Sequence, residues 1–137
     1  MKFKAMRIAP LCLLLSSFSV GCAKNDDAGV KEIHTAREMQ DKMNVSNITV
    51  IHALSRENYE QGHIPGAKNI DVQEMTPQDL PENKDLPLVF YCGSATCPVG
   101  HRAASKASSW GHTHVWVYKG GMADWRSSGM QVATGPN

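Results

Sequence analysis

The chain of 137 residues carries 14 basic and 13 acidic side chains, and 42% of its residues are hydrophobic. This length and composition suit one globular domain with a single core. The charge is nearly balanced and no basic patch stands out, which excludes a typical nucleic-acid-binding surface, so we expect no nucleic-acid partner.

An export signal is the first predicted element, over residues 1–21. A basic segment at residues 2–7 precedes an apolar stretch at residues 8–20, which is the layout of a signal peptide. The stretch is short for a helix that spans a bilayer, and Pro10 interrupts it. The sequence therefore favours a signal peptide over a permanent membrane helix.

Ser19-Val20-Gly21-Cys22 is the predicted processing site. It resembles a bacterial lipobox, in which the cysteine is lipidated and becomes the first residue of the mature protein. Residues 22–29 are typical of a polar tether, and Ala23 after the cysteine favours the outer membrane. We expect a lipid anchor at Cys22, on the periplasmic side of the cell envelope. Ser19 stands where an aliphatic residue is usual, so a soluble periplasmic protein is the alternative.

Strand-like and helix-like segments alternate in the predicted domain, residues 30–137. Thr35-Ala36-Arg37-Glu38 has the form of a capping box and begins a helix to about Met43. Thr76-Pro77 places proline in the first turn of a short helix. The other predicted helices are 55–59, 98–110 and 120–125, and the predicted strands are 47–51, 68–70, 88–91 and 115–118. This α/β alternation favours a parallel sheet with helices on its faces.

Cys92 and Cys97 are the thiols that we expect in the mature domain, since Cys12 lies in the signal and Cys22 at the anchor. Two neighbouring cysteines in an exported protein usually form a disulfide. That structural role competes with a catalytic one.

The position of Cys92 supports the catalytic role. It follows the apolar strand 88–91 and precedes Gly93, and Pro98 then starts a helix. Ligands of parallel sheets bind where strands end, and loop amides with the positive end of a helix favour the thiolate, the reactive form of cysteine. A buried cysteine at a strand end is also often inert, so the residues alone leave both roles open.

Three motifs, in their order and spacing, resemble a single-domain rhodanese, which is a sulfurtransferase. They are Gly62-His63-Ile64-Pro65-Gly66-Ala67, then Tyr91-Cys92 with its loop, and Tyr118-Lys119-Gly120-Gly121-Met122-Ala123-Asp124-Trp125. The match extends from about Val30 to Val132. It implies a rhodanese-like α/β fold, with a mostly parallel sheet of about five short strands and helices on both faces.

The resemblance also implies a reaction. Cys92 would take a sulfane sulfur from a donor such as thiosulfate, hold it as a persulfide, and pass it to cyanide or a thiol. Backbone amides of the active loop would stabilise the charge on the terminal sulfur; that loop is Gly93, Ser94, Ala95, Thr96 and Cys97. No metal and no organic cofactor is required. The expected partners are a small sulfur compound or a protein thiol or persulfide, and we expect a monomer.

The chain departs from the family pattern at three places. His52-Ala53-Leu54 stands where an aspartate and an arginine are common, and the active loop has no cation. His101 and Arg102, one turn into the next helix, are candidates for the pocket rim, as are Met122 and Trp125. Cys97 stands where the loop cation would be. We expect it to be a disulfide partner of Cys92, or to resolve a persulfide on Cys92 by attacking the inner sulfur.

These departures keep two alternatives to the sulfurtransferase open. One is a thiol–disulfide redox module that uses Cys92 and Cys97. The other is a catalytically inactive rhodanese-like binding domain, which the residues at 52–54 would favour.

Overall fold

Five short parallel strands make up one sheet in the computed structural model, which describes residues 29–136. They are β1 Val30–Ile33, β2 Thr49–His52, β3 Lys68–Asn69, β4 Leu88–Tyr91 and β5 Val115–Tyr118, in the spatial order β1-β5-β4-β2-β3. β4 is central and every one of its residues is buried, as its unbroken apolar sequence predicts. The predicted signal at 1–21 and the predicted lipidation site Cys22 lie outside the described residues.

Three of the four α-helices in the described residues connect strands, and the fourth follows β5: α1 Ala36–Val45, α2 Arg56–Gln61, α3 Val99–Ser109 and α4 Gly121–Ser127. The capping box that begins α1 is confirmed, since the Glu38 amide donates to the Thr35 hydroxyl and the Thr35 amide donates to the Glu38 carboxylate. Ser55 precedes α2 without a side-chain cap. None of the helices in the described residues is long and apolar enough to cross a membrane.

The helices cover both faces of the sheet, as expected from the α/β pattern. One face packs against α1, α2 and α4 through Met39, Tyr59 and Trp125. The other packs against α3, whose contribution is a row of small residues: Ala103, Ala104 and Ala107. Each sheet face therefore has its own hydrophobic core, and β4 contributes to both.

Two elements differ from the sequence-based prediction. β1 was not predicted as a strand, because Lys31 and Glu32 are exposed and only pairing with β5 makes this segment extended. The helix predicted from Thr76-Pro77 is a single 3₁₀ turn, Pro77–Asp79. The Asp79 carboxylate accepts from the Thr76 amide and hydroxyl, which closes the turn locally.

Candidate active site

Cys92 lies at the carboxyl end of β4, at the edge of the sheet where ligands of parallel sheets bind. The segment from Cys92 to Pro98 crosses to α3. Within it, the amide of Cys97 donates to the carbonyl of Ser94 across 3.1 Å, which folds the loop back over Cys92. The residue Cys92 is only 4% exposed, whereas Cys97 is half-buried.

The thiol of Cys92 is in direct contact with Cys97. The Sγ atom of Cys92 donates to the backbone carbonyl of Cys97 across 3.2 Å. Both cysteines are free thiols in this structure. The sequence placed both residues in one loop, and the fold brings the sulfur atom of Cys92 against the backbone of Cys97.

The surroundings of the two thiols shift their pKa values in opposite directions. Burial, followed by the hydrogen bond with Cys97, raises the pKa of Cys92 to about 11. Partial burial also opposes ionisation of Cys97. There, however, the hydrogen bond with Cys92, backbone amides and the positive charge of Arg102 outweigh it and lower the pKa of the Cys97 thiol. We expected a stabilised thiolate at Cys92, but in the resting pair Cys97 is the thiol that ionises first.

Four backbone amides act on the pKa values of the two thiols. Those of Ser94 and Gly100 favour the thiolate of Cys92, although less strongly than burial opposes it. Those of Gly93 and Val99 favour the thiolate of Cys97. Such converging amides are a binding site for a negatively charged atom. We expected such a cradle from the amides of the loop; two of these four amides, those of Val99 and Gly100, belong instead to the first turn of α3, and the amide of Cys97 is occupied within the loop.

The start of α4 holds the active loop in place. The amides of Met122 and Ala123 donate to the carbonyls of Cys92 and Gly93, both across 2.9 Å. The approach is close, because a Cβ atom at Gly121 would lie 2.5 Å from the Cys92 carbonyl oxygen. Gly121 also has a φ of +60°, which side chains disfavour. The glycine at position 121 of the sequence motif thus has a physical cause.

Two cavities flank the loop. One of about 570 Å³ is lined by the outer side of the loop, Ser94 to Thr96, and by His34 and residues of α4 that include Asp124. A groove of about 680 Å³ on the α3 side is lined by Pro98, His101, Arg102 and Lys106, among others. Arg102 thus lines this groove, and its positive charge acts on the Cys97 thiol.

Met122 and Trp125 do not form the pocket rim that the sequence suggested. Both side chains are buried in the core beneath the sheet edge. The Trp125 indole donates to the carbonyl of Gln131 across 2.7 Å. Met122 contributes to the site through its backbone amide alone.

His52 occupies the end of β2, where the sequence showed only that an aspartate was absent. It is 1% exposed, and its ring meets Tyr59 and Tyr91 edge-on at 5.7 and 5.0 Å. Its Nδ1 has no hydrogen-bond partner among the described residues. Burial, and then the nearby His63, lower the pKa of His52 to about 4. His52 is therefore a neutral core residue and does not supply the missing charge.

His63, in the first of the three motifs, has the structural role that we expect of a buried histidine. It stacks on Tyr59 with ring centroids 3.7 Å apart, and its Nδ1 is 2.9 Å from the Tyr59 carbonyl. The Tyr91 hydroxyl accepts from the amide of Ile64 in the same turn. The turn is thus attached to the strand that carries Cys92.

The family model for the rhodanese-like domain matches residues 35–128, which include both motifs and the cysteine loop. The chain belongs to the rhodanese-like domain family. Its sheet of parallel strands with helices on both faces is the fold of that family, as solved relatives show.

Relatives of this rhodanese-like chain differ in what surrounds the domain. An HTH-type transcriptional regulator of Mycobacterium tuberculosis is 31% identical over 101 residues, 74% of this chain but 44% of the regulator, so the chain spans less than half of that protein. The uncharacterized protein YibN of Escherichia coli is 28% identical over 126 residues, 89% of this chain and 85% of YibN. Thiosulfate sulfurtransferase from Pseudomonas aeruginosa has a similar fold, with a TM-score of 0.63 and 17% identity over 79% of this chain and 21% of that one.

Proposed function

We propose that this rhodanese-like protein is an exported sulfurtransferase that carries sulfane sulfur as a persulfide on Cys92. The observation that carries the proposal is the position of Cys92, at the end of β4 with the amides of Ser94 and Gly100 against its sulfur. Family membership supports sulfur transfer as the class of reaction. A persulfide is an anion near neutral pH, and converging amides stabilise such a charge.

Loading begins when Cys92 loses its proton, to the neighbouring Cys97 thiolate in wild type and to solvent where Cys97 is replaced. The Cys92 thiolate then attacks the outer sulfur of thiosulfate. The new S–S bond joins that sulfur to Cys92, and the S–S bond of the donor breaks as sulfite leaves with its electron pair. The product is the Cys92 persulfide anion. An external thiol or cyanide then takes the sulfur and returns Cys92 to its starting form.

The donor is a sulfane compound that needs little positive charge for binding. The loop carries no cation, and Arg102 lies on α3 beside Cys97. Thiosulfate should therefore bind weakly, and a less anionic or protein-bound donor should react better. We propose that the protein acts as a monomer on the periplasmic side of the cell envelope, anchored to the outer membrane by lipid at Cys22, or free in the periplasm if Cys22 is not modified.

Intact mass tests this proposal on a background that cannot form the internal disulfide. Cys97→Ser protein, reduced and incubated with thiosulfate or polysulfide, should gain the mass of one sulfur atom. The double variant Cys92→Ser/Cys97→Ser should gain nothing. Absence of the adduct in folded Cys97→Ser protein with every sulfane donor would rule out the persulfide mechanism.

A second candidate function is a thiol–disulfide redox module, which the direct contact of the Cys92 thiol with Cys97 favours. In that case the pair would cycle without carrying sulfane sulfur. The reduction potential of the pair tests this candidate, because a value far below about −300 mV would make the disulfide structural and inert. A value near the poise of a cellular dithiol system would support it.

A further inference from the structure

We propose that Cys97 is the built-in acceptor of the Cys92 persulfide and that the protein releases the transferred sulfur as hydrosulfide. Cys97 would attack the inner sulfur, close a Cys92–Cys97 disulfide and expel the outer sulfur. This proposal rests on the proposed function and specifies its acceptor. With this step the protein reduces sulfane sulfur to hydrosulfide and does not only carry it.

The position of Cys97 supplies the attack. The sulfur of Cys92 donates to the backbone carbonyl of Cys97 across 3.2 Å, so the residue that bears the nucleophile is already beside the inner sulfur when a persulfide forms. The turn from Ser94 to Cys97 fixes this position, since the Cys97 amide donates to the Ser94 carbonyl. A thiol held in contact reacts far faster than one that must diffuse to the site.

Burial disfavours attack on the same inner sulfur by an external thiol. Cys92 is 4% exposed, and the carbonyl of Cys97 lies 3.2 Å from its sulfur. An incoming thiol must pass the half-buried Cys97 to reach it. The internal thiol therefore competes with external acceptors from a better position.

The backbone amides near Cys92 also favour departure of the outer sulfur. Displacement runs along the axis of the S–S bond, so the outer sulfur must point away from Cys97. The amides of Ser94 and Gly100 favour the anionic form of the Cys92 sulfur, whereas those of Gly93 and Val99 act on Cys97. They are the donors available to an outer sulfur bonded to Cys92, and they stabilise the charge on it as it leaves.

The step balances without an outside oxidant. A bond forms between the sulfurs of Cys97 and Cys92, and the bond from Cys92 to the outer sulfur breaks. The electron pair leaves with the outer sulfur, which takes the proton of Cys97 and departs as hydrosulfide. The sulfane sulfur is reduced and the two cysteines are oxidised to a disulfide. Each new cycle requires a dithiol reductant to reopen that bond.

A single-turnover experiment tests the proposal on the protein purified as the cell produces it. The protein is reduced, freed of reductant without air, and mixed with thiosulfate, which contains no hydrosulfide of its own. Released hydrosulfide and intact mass are then followed together. Wild type should release one hydrosulfide per chain and become lighter by two hydrogens. Cys97→Ser should release none and stay heavier by one sulfur, and Cys97→Ala should behave in the same way.

The outcomes separate this proposal from the one on which it rests. If wild type keeps a stable sulfur adduct and releases no hydrosulfide, Cys97 is not the acceptor, while the Cys92 persulfide stands. If folded Cys97→Ser also releases hydrosulfide, the acceptor is again not Cys97. If neither Cys97 variant gains a sulfur atom, the proposed function itself fails. Cys92→Ser, which lacks the carrier, should show neither adduct nor hydrosulfide.

Discussion

Replacing His52 with phenylalanine should remove much of the protein's sensitivity to acid. In the folded protein His52 is 1% exposed and its pKa is lowered to about 4, first by burial and then by His63. The unfolded chain takes up the proton near its ordinary value of 6.5. Between these values the unfolded state binds more protons than the folded state, so stability falls as the pH falls.

The magnitude follows from the two pKa values. Each pKa unit corresponds to about 1.4 kcal/mol, so His52 alone should cost about 2 kcal/mol of stability at pH 5 and about 3 kcal/mol at pH 4, relative to pH 7. Above pH 6.5 the contribution is absent. Phenylalanine keeps an aromatic ring between Tyr59 and Tyr91 and cannot take a proton.

Urea unfolding followed by tryptophan fluorescence at pH 7 and pH 5 measures the effect. Wild type should lose about 2 kcal/mol more than His52→Phe between these pH values. His114→Gln, a change at an exposed histidine, should leave the wild-type loss unchanged. Equal losses in wild type and His52→Phe would refute the reasoning, because the acid sensitivity would then come from other groups.

Three further predictions concern the active loop. The pKa of Cys92 should be lower in Cys97→Ser than in wild type, because the second thiol is lost, but burial should still hold it above the ordinary value of a thiol. The pH dependence of alkylation measures this pKa. Gly121→Ala should lower the free energy of unfolding in urea by at least about 1–2 kcal/mol and slow sulfur loading, because the added methyl group makes a close contact at a residue whose φ is already unfavourable for a side chain. Gly66→Ala is the control, because its φ is +82° but the space around it is open; it should leave loading intact. Thr96→Arg should strengthen thiosulfate use in saturation kinetics, and no change would mean that the missing charge does not limit the site.

The sequence predicted the fold best where local signals and tertiary packing agree. The apolar run of β4 and the capping box at Thr35 both have their structural cause within a few residues. β1 has no such signal, because its two middle residues, Lys31 and Glu32, are both exposed. Its conformation comes from pairing with β5. Long-range pairing of this kind cannot be derived from a four-residue segment.

The site was predictable in its location but not in its electrostatics. The end of an apolar strand pointed to Cys92, and the following proline pointed to the start of a helix. The pKa of Cys92 depends on the balance between burial, the neighbouring Cys97 and the backbone amides in the folded loop. The role of His52 depended likewise on the rings around it, which come from α2 and β4. Such balances appear only once the elements are assembled.

The hydrogen bonds from α4 orient two peptide groups of the active loop, and the dipoles of these peptides act on the sulfur atoms. A trans peptide is planar, and its carbonyl and amide point in opposite directions. Met122 and Ala123 bind the carbonyls of Cys92 and Gly93. The amides of the same two peptides, those of Gly93 and Ser94, are therefore turned to the other side, where they meet Cys97 and Cys92. Through two rigid peptide planes, the last helix of the chain aims the polar groups that stabilise charge on the sulfur atoms.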